Sequence, residues 1–119
     1  MLIGYVYTLK DNEDHSSQKK RLKDSGCKTI FRDTGGFGLR KRKGFNSALQ
    51  FASKGDCIVI SQLDRLGDSI QKTLEILNTL NEQGIHFYSI EEGLDTRTQD
   101  YALLFNFVTA LLNCTKTQM

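Results

Sequence analysis

The chain has 119 residues, a length that fits one compact domain able to bury a core without disulfide bonds. Hydrophobic residues make up 39% of the sequence and charged residues 25%, which is too apolar for intrinsic disorder and too polar for a membrane protein. The net charge of +2 hides an asymmetry, because residues 1–60 hold 12 Lys and Arg against 6 Asp and Glu, whereas residues 61–119 hold 4 against 8. We therefore predict one cytoplasmic globular domain, without a secretion signal or membrane span, whose first half can face phosphate.

The cysteines predict neither a disulfide framework nor a metal site. Cys27, Cys57 and Cys114 are odd in number and far apart, and no CxxC spacing occurs. Only His15 and His86 are available to complete a zinc site. Reduced, structural cysteines and no bound metal are the expectation.

The first elements in chain order are a strand, a polar helix and a second strand. The run Leu2–Thr8 is rich in Ile, Val and Tyr, which favours a buried strand. Residues 14–25 have helix-forming composition and stop at Gly26, a residue suited to the C′ position. Leu22 is the only large aliphatic of this helix, so it either packs loosely or turns polar side chains toward a working surface. Residues 28–32 predict the second strand.

A glycine-rich loop at residues 33–38 then leads into the basic run 40–43. Apolar periodicity and glycine stops predict the elements that follow: a helix through Phe45, Ala48, Leu49 and Ala52 closed by Gly55, a strand over 57–60, a helix through Ile70, Leu74, Leu77 and Leu80 ended by Gly84, and a strand over 85–90.

Strands that alternate with helices predict an α/β fold: a three-layer α/β/α domain with a mainly parallel sheet of four to five strands. Ligands of such domains gather at the carboxyl ends of the strands. The segments that leave those ends follow Thr8, Arg32 and Ile60. We expect any chemistry to lie there.

The last predicted element is a long apolar helix that begins at about residue 100. Residues 101–112 are apolar nearly all round the helix, rather than along one face. In a small domain with one core, that pattern favours burial against a second copy of the chain. The alternative is a central core helix covered on both faces within one chain.

At residues 61–67, SQLDRLG, the sequence resembles the "KLDRLGR" block of the serine recombinases, the resolvase and invertase family. The resemblance runs without a gap over essentially the whole chain. Its other parts are Ile3-Gly4-Tyr5 like the opening "IGY", Gln18 and Gly26-Cys27 at family spacing, Arg42 and Gly44 in the "RPGL" position, and residues 92–96, EGLDT, like "EGIDT".

The resemblance implies a resolvase-like catalytic domain over residues 1–119 that dimerises through its C-terminal helix. Enzymes of this family cut DNA through a serine that forms a phosphoserine link, without a metal or cofactor. Their dimer helix continues into a helix-turn-helix module that reads the DNA site, and the sequence contains no such module.

Four departures from the family pattern bear on activity. The nucleophilic serine falls on Leu9, the arginine two positions earlier on Tyr7, the loop serine on Gly36 and the arginine of "DRLGR" on Asp68. A leucine cannot attack phosphorus. The carboxylate of Asp68 would repel the charge that cleavage has to stabilise.

Several family residues are retained: Tyr5, Gln18, Arg42, Asp64, Arg65 and Gly67. The resemblance implies that Arg42 and Arg65 contact the scissile phosphate and that Asp64 is a candidate proton donor. In this sequence we interpret the three residues as the remains of an active site. The alternative for Asp64 and Arg65 is a local ion pair at a strand end. The basic run Arg40, Lys41, Arg42 and Lys43 is a candidate DNA-binding loop or a solvated charge run.

The sequence therefore predicts a degenerate serine-recombinase domain without cleavage activity. We expect it to form a homodimer or higher homo-oligomer, to touch DNA weakly, and to pair with an active relative. One alternative is an active, divergent recombinase or nuclease that uses Tyr7 or Thr8. Another is a module that senses phosphate or a small ligand near Arg42 and Arg65.

Overall fold

A computed structural model of the chain describes residues 1–8, 16–34, 43–62, 70–98 and 106. The described residues form five strands and three helices. The strands are β1 (Leu2–Thr8), β2 (Thr29–Thr34), β3 (Cys57–Ile60), β4 (His86–Ser89) and β5 (Leu94–Asp95), and the helices are α1 (Ser16–Asp24), α2 (Lys43–Phe51) and α3 (Ile70–Glu82).

The strands form one sheet in the order β2-β1-β3-β4-β5. The first four strands run parallel, and Ile3 of β1 pairs with Thr29 of β2 and with Ile58 of β3. The two-residue β5 runs antiparallel to β4. This architecture confirms the predicted α/β fold with a mainly parallel sheet.

Helices cover both faces of the sheet, so the core has two parts. The larger cluster lies between the sheet and α2 and α3: Ile3, Tyr5, Tyr7, Phe45, Ala48, Ile58, Ile60, Ile76, Leu77, Leu80, Ile85 and Phe87. The smaller cluster lies under α1: Val6, Leu22, Cys27, Cys57 and Val59. Alternate residues of β1 and β3 enter different clusters, as the period of two along a strand requires.

The end of α1 is a Schellman motif around Gly26. Gly26 has a φ of 104°, its N–H donates to the carbonyl of Lys23 at 3.0 Å, and the N–H of Cys27 donates to the carbonyl of Leu22 at 3.0 Å. Leu22 and Cys27 also pack together in the smaller cluster. This contact ties the end of α1 to the sheet.

Within the described residues, Cys27 and Cys57 are buried free thiols. No helix in this part of the chain is long and apolar enough to cross a membrane. Cys114 and the predicted C-terminal helix lie outside the described residues, apart from Asn106, which is helical.

Candidate functional site

The crevice between the carboxyl ends of β1 and β3 is the expected position of a ligand site. β1 is followed by α1 on one face of the sheet, whereas β3 is followed by α3 on the other. Ligands of open α/β sheets bind at such a switch point, where neighbouring strands lead away in opposite directions. The structure describes β1 as far as Thr8 and the chain after β3 as far as Gln62.

Many of the predicted site residues lie outside the described ranges: Leu9, Gly36, Arg40, Lys41, Arg42, Asp64, Arg65, Gly67 and Asp68. The roles assigned to them stay predictions. Of the others, Lys43 is the exposed first residue of α2, and Tyr5 and Gln18 lie in two separate hydrogen-bonded arrangements.

Gln18 joins α1 to the carboxyl end of β1. Its side-chain amide donates to the carbonyl of Tyr7 at 3.1 Å, and its Oε1 accepts from the N–H of Tyr7 at 3.4 Å. The side chain is buried with only 6% exposed, and it lies beyond the rungs that pair β1 with β3, which end at Gly4. Gln18 therefore acts on the β1 backbone two residues before position 9. Gln18 thus faces the end of β1, and the expectation that α1 turns polar side chains toward a working surface stays a prediction.

Tyr5 is linked to the start of α2 through Asp33. The Tyr5 hydroxyl donates to Oδ2 of Asp33 at 2.8 Å. The same carboxylate accepts from the N–H of Gly44 at 2.7 Å and from the N–H of Phe45 at 2.9 Å. Asp33 thus caps α2 from the end of β2 and places a negative charge at the positive end of the helix dipole. It also determines where the chain enters α2 after the basic run.

Gly44 allows α2 to approach β2 this closely. A Cβ at this position would lie 2.1 Å from the carbonyl oxygen of Arg32. No side chain fits in that space. The cap by Asp33 and the glycine together hold the first turn of α2 against the edge of the sheet.

The two hydroxyls nearest to position 9 are buried on opposite faces of β1. Tyr7 is 1% exposed and belongs to the larger cluster, under α2 and α3. Thr8 is 3% exposed, and its Oγ1 lies 3.4 Å from Oγ1 of Thr34 on β2. Neither hydroxyl is open to a DNA backbone in this arrangement.

A third hydroxyl lies directly after β3. Ser61 is 2% exposed, and its Oγ has no hydrogen-bond partner, whereas its carbonyl accepts from the N–H of Glu91 at 2.9 Å. A buried hydroxyl without a partner is uncommon, since the lost hydration is not replaced. Sequence reasoning identified this serine only as part of the SQLDRLG block.

Residues 3–117 match the family described as "Resolvase, N terminal domain". The chain belongs to the resolvase family. It is 33% identical over 111 residues to the DNA-invertase of Escherichia phage P1, covering 93% of this chain and 60% of that protein. It is 37% identical over 112 residues to the transposon Tn552 resolvase of Staphylococcus aureus, covering 92% and 57%. The chain therefore spans 57–60% of the length of these two relatives.

Solved structures show the same resolvase-like fold. The N-terminal catalytic domain of TP901-1 integrase matches with a TM-score of 0.72 and 19% identity, over 98% of this chain and 97% of that one. A resolvase family site-specific recombinase from Streptococcus pneumoniae matches with a TM-score of 0.74 and 16% identity, over 98% and 88%. The family predicted from the sequence blocks is confirmed.

In this resolvase-family chain, the EGLDT segment forms a turn and the edge strand β5. Gly93 has a φ of 68°, and the hydroxyl of Ser89 donates to the carboxylate of Glu92. Thr96 joins the segment to β4, because its Oγ1 accepts from the N–H of Phe87 at 2.8 Å. Three strand spacings separate β5 from β1, so these contacts build the sheet edge rather than the crevice.

An ion pair completes this edge. Arg97 donates to the two carboxylate oxygens of Asp95 at 2.9 and 2.8 Å, and its guanidinium lies 5.4 Å from the ring centre of Tyr88. The hydrogen bonds from Arg97 lower the pKa of Asp95. The pair is therefore a structural feature of the β4–β5 edge.

The described part of the crevice offers neutral hydroxyl and amide groups. Gln18 contributes an amide, Thr8 and Ser61 contribute hydroxyls, and Tyr7 contributes a phenol. Among the residues that the structure describes, no three His, Cys, Asp or Glu side chains cluster as metal ligands would.

Proposed function

We propose that this chain is a resolvase-family domain that has lost DNA cleavage and acts through self-association and weak DNA contact. The family's nucleophilic serine corresponds to Leu9, which has no atom able to attack phosphorus. Asp68 stands in place of an arginine and adds repulsion where cleavage needs positive charge.

The observation that carries this proposal is the burial of the two replacement hydroxyls. Tyr7 is 1% exposed within the apolar cluster under α2 and α3, and Thr8 is 3% exposed beside Thr34. A nucleophile has to come within about 3–3.5 Å of the reacting atom. Because neither side chain can do so unless β1 rearranges, cleavage through Tyr7 or Thr8 is disfavoured.

The cap on α2 also disfavours a phosphate-sensing module at that helix. The amides of Gly44 and Phe45, which an anion at this helix end would need, already donate to Asp33. A phosphate would have to displace a carboxylate that is part of the same chain.

A trapping experiment on wild-type protein tests the loss of cleavage. The protein is incubated with supercoiled plasmid and with nicked suicide duplexes, and covalent adducts are sought by denaturing electrophoresis and mass spectrometry. An active resolvase on its own site serves as the positive control. We expect no adduct with the wild-type chain. An adduct at Tyr7 or Thr8, abolished by Tyr7→Phe or Thr8→Val, would overturn the proposal.

Restoring the family residues gives the complementary experiment. Leu9→Ser with Asp68→Arg is the first variant, and Tyr7→Arg is added second because it puts a charge into an apolar cluster. We expect movement toward DNA nicking once all three changes are present in a folded protein. Circular dichroism and thermal unfolding identify any variant that fails to fold.

Self-association and DNA contact have their own readouts. We expect a solution mass of a homodimer or a higher oligomer by light scattering, and mixed complexes with an active relative. Substitution of Arg40, Lys41 and Arg42 by Gln should weaken DNA binding and reduce its salt dependence. A strictly monomeric wild-type protein would contradict the self-association. The cytoplasmic location stays a prediction from the sequence.

A further inference from the structure

The solvent-facing side of α1 carries a stripe of lysines. Lys19, Lys20 and Lys23 are exposed, while Gln18 and Leu22 are buried against the sheet. Each residue of a helix turns the side-chain direction by about 100°, which places Lys20 opposite the buried pair and Lys19 and Lys23 along one flank. These three residues are called the lysine stripe below.

Within the described residues the lysine stripe forms no ion pair, although Asp24 lies four positions after Lys20 on the same side of α1. Lys19 and Lys23 are four positions apart and Lys20 and Lys23 three apart, so they are neighbours on the helix surface and like charges there destabilise the helix.

Elsewhere in the described part of the chain some exposed cations are paired, and unpaired ones such as Lys28 and Lys54 stand singly in the sequence. Arg21, on the other side of α1, lies 2.6 Å from the carboxylate of Glu91, and Lys72 on α3 lies 3.6 Å from that of Glu75. A merely solvated helix face usually mixes both signs of charge in this way. The lysine stripe differs from the single lysines in that three of them lie within little more than one helical turn without an ion pair.

We propose that the lysine stripe is a second phosphate-binding surface, which holds the backbone of double-stranded nucleic acid without reading its sequence. It deepens the proposed DNA contact but rests on different residues. The basic run enters α2, which packs on the opposite face of the sheet from α1. The lysine stripe thus lies on the other side of the sheet from α2, which begins at Lys43.

The chemistry of the stripe favours a polyphosphate over other anionic partners. Leu22, the only large apolar residue of α1, is buried, so the helix has no apolar face to insert into a membrane surface. Protein interfaces are depleted of lysine and enriched in aromatic residues at their centres, and α1 contains no aromatic residue. A phosphate backbone needs only point charges at close spacing.

The test compares two charge-matched double variants of the chain. Lys20→Gln/Lys23→Gln removes two charges from the stripe, and glutamine keeps the helix propensity. Lys54→Gln/Lys72→Gln removes two exposed lysines elsewhere. Binding to a 25-base-pair duplex of arbitrary sequence is measured by fluorescence anisotropy between 50 and 200 mM salt, with circular dichroism as the check on folding.

We expect the slope of log K against log salt to become shallower by about 1.8 in the stripe variant, since each phosphate contact contributes about 0.9. The control variant should keep the wild-type slope. Equal behaviour of the two variants would overturn the proposal. The proposal would also be overturned if the stripe variant lost binding to phosphatidylserine vesicles or to polyglutamate but bound the duplex as the wild type does.

A third variant separates this proposal from the DNA contact proposed above. If Arg40→Gln/Arg42→Gln lowers the slope and the stripe variant does not, only the basic run binds DNA and the stripe proposal is wrong. If the stripe variant alone lowers the slope, the stripe proposal stands and the contact by the basic run is wrong. Wild-type protein that binds no duplex at 50 mM salt would overturn both.

Discussion

The two faces of the sheet are built from different kinds of residue. Among the described residues, the cluster between the sheet and α2 and α3 has twelve buried members, most of them aliphatic or aromatic. Under α1 lie five, and the only one that α1 itself contributes is Leu22. The remaining buried residue of α1, Gln18, makes hydrogen bonds rather than apolar contacts.

One face of the sheet therefore contributes most of the folding stability, while the other carries groups that can interact with partners. Apolar burial is the main favourable term in folding, so most of the stability should come from the α2–α3 face. On the α1 face, a polar side chain holds the end of β1 while the lysine stripe faces solvent. The face that contributes less to the core is the one free to carry polar and charged groups.

The test of this comparison with the largest expected effect replaces one buried leucine on each face. Leu77 on α3 and Leu22 on α1 are both fully buried. We expect Leu77→Ala to lower the free energy of unfolding by about 3–5 kcal/mol, because the surrounding cluster cannot collapse into the cavity. Leu22→Ala should cost about 2 kcal/mol, since α1 can separate from the sheet instead. Urea denaturation gives both values.

Hydrogen exchange shows where each leucine substitution acts. Leu22→Ala should speed exchange of the α1 amides while leaving those of β3 protected, whereas Leu77→Ala should speed exchange throughout the sheet. If Leu22→Ala lowered stability by as much as Leu77→Ala and opened β3 equally, the two faces would form one cooperative unit and the comparison would fail.

The two buried thiols make the α1 face sensitive to alkaline pH. Burial raises the pKa of the Cys57 thiol to about 12 and that of the Cys27 thiol to about 11, from an ordinary value of 9.0. Above pH 9 the unfolded chain loses these protons while the folded chain keeps them, so stability present at lower pH is lost as the pH rises. We expect the free energy of unfolding to fall as the pH rises from 9 to 11, with a slope that reaches at most about 1.4 kcal/mol per pH unit for each thiol.

Cys57→Ala isolates this effect from the titration of lysines and tyrosines. Its free energy of unfolding, measured by urea denaturation at several pH values, should fall less steeply than that of the wild type over the same range. Parallel curves for the two proteins would show that the Cys57 thiol is not held in its neutral form by the fold.

The cap on α2 gives the next effect in size. Asp33→Ala removes the acceptor of the Gly44 and Phe45 amides and of the Tyr5 hydroxyl. We expect a loss of about 2 kcal/mol in thermal or urea unfolding. Tyr5→Phe removes the hydroxyl that donates to Asp33 while leaving the cap in place, and it should cost about 1 kcal/mol. A cost for Asp33→Ala no greater than that of Tyr5→Phe would show that the cap contributes nothing.

The elements with a continuous apolar run or a clear glycine stop were predictable from the sequence. The bounds of β1 and β3 agree with the predicted ranges, because each is a short apolar run between polar or glycine-containing turns. The predicted end of α1 at Gly26 also agrees, since the φ of 104° needs a glycine. The two-residue β5 was not identified, because a strand so short has no alternation to detect and depends on pairing with β4.

The site was less predictable than the fold. The sequence places Asp33 at the start of a glycine-rich loop, and its role as a cap appears only when β2 and α2 come together. Gln18 was identified through family resemblance, but its bonds to Tyr7 depend on the docking of α1 over β1. Sequence spacing cannot report contacts that arise from packing between elements.

The smallest expected effect is a gain in the free energy of unfolding rather than a loss. The hydroxyl of Ser61 is buried without a partner, so it has lost hydration that no hydrogen bond replaces. Ser61→Ala should therefore raise the free energy of unfolding by up to about 1 kcal/mol in urea denaturation. Ser89→Ala is the matched control, because the equally buried hydroxyl of Ser89 donates to Glu92, and its loss should cost about 1 kcal/mol. If the two substitutions were equally destabilising, Ser61 would have a partner in solution and the carboxyl end of β3 would be arranged differently.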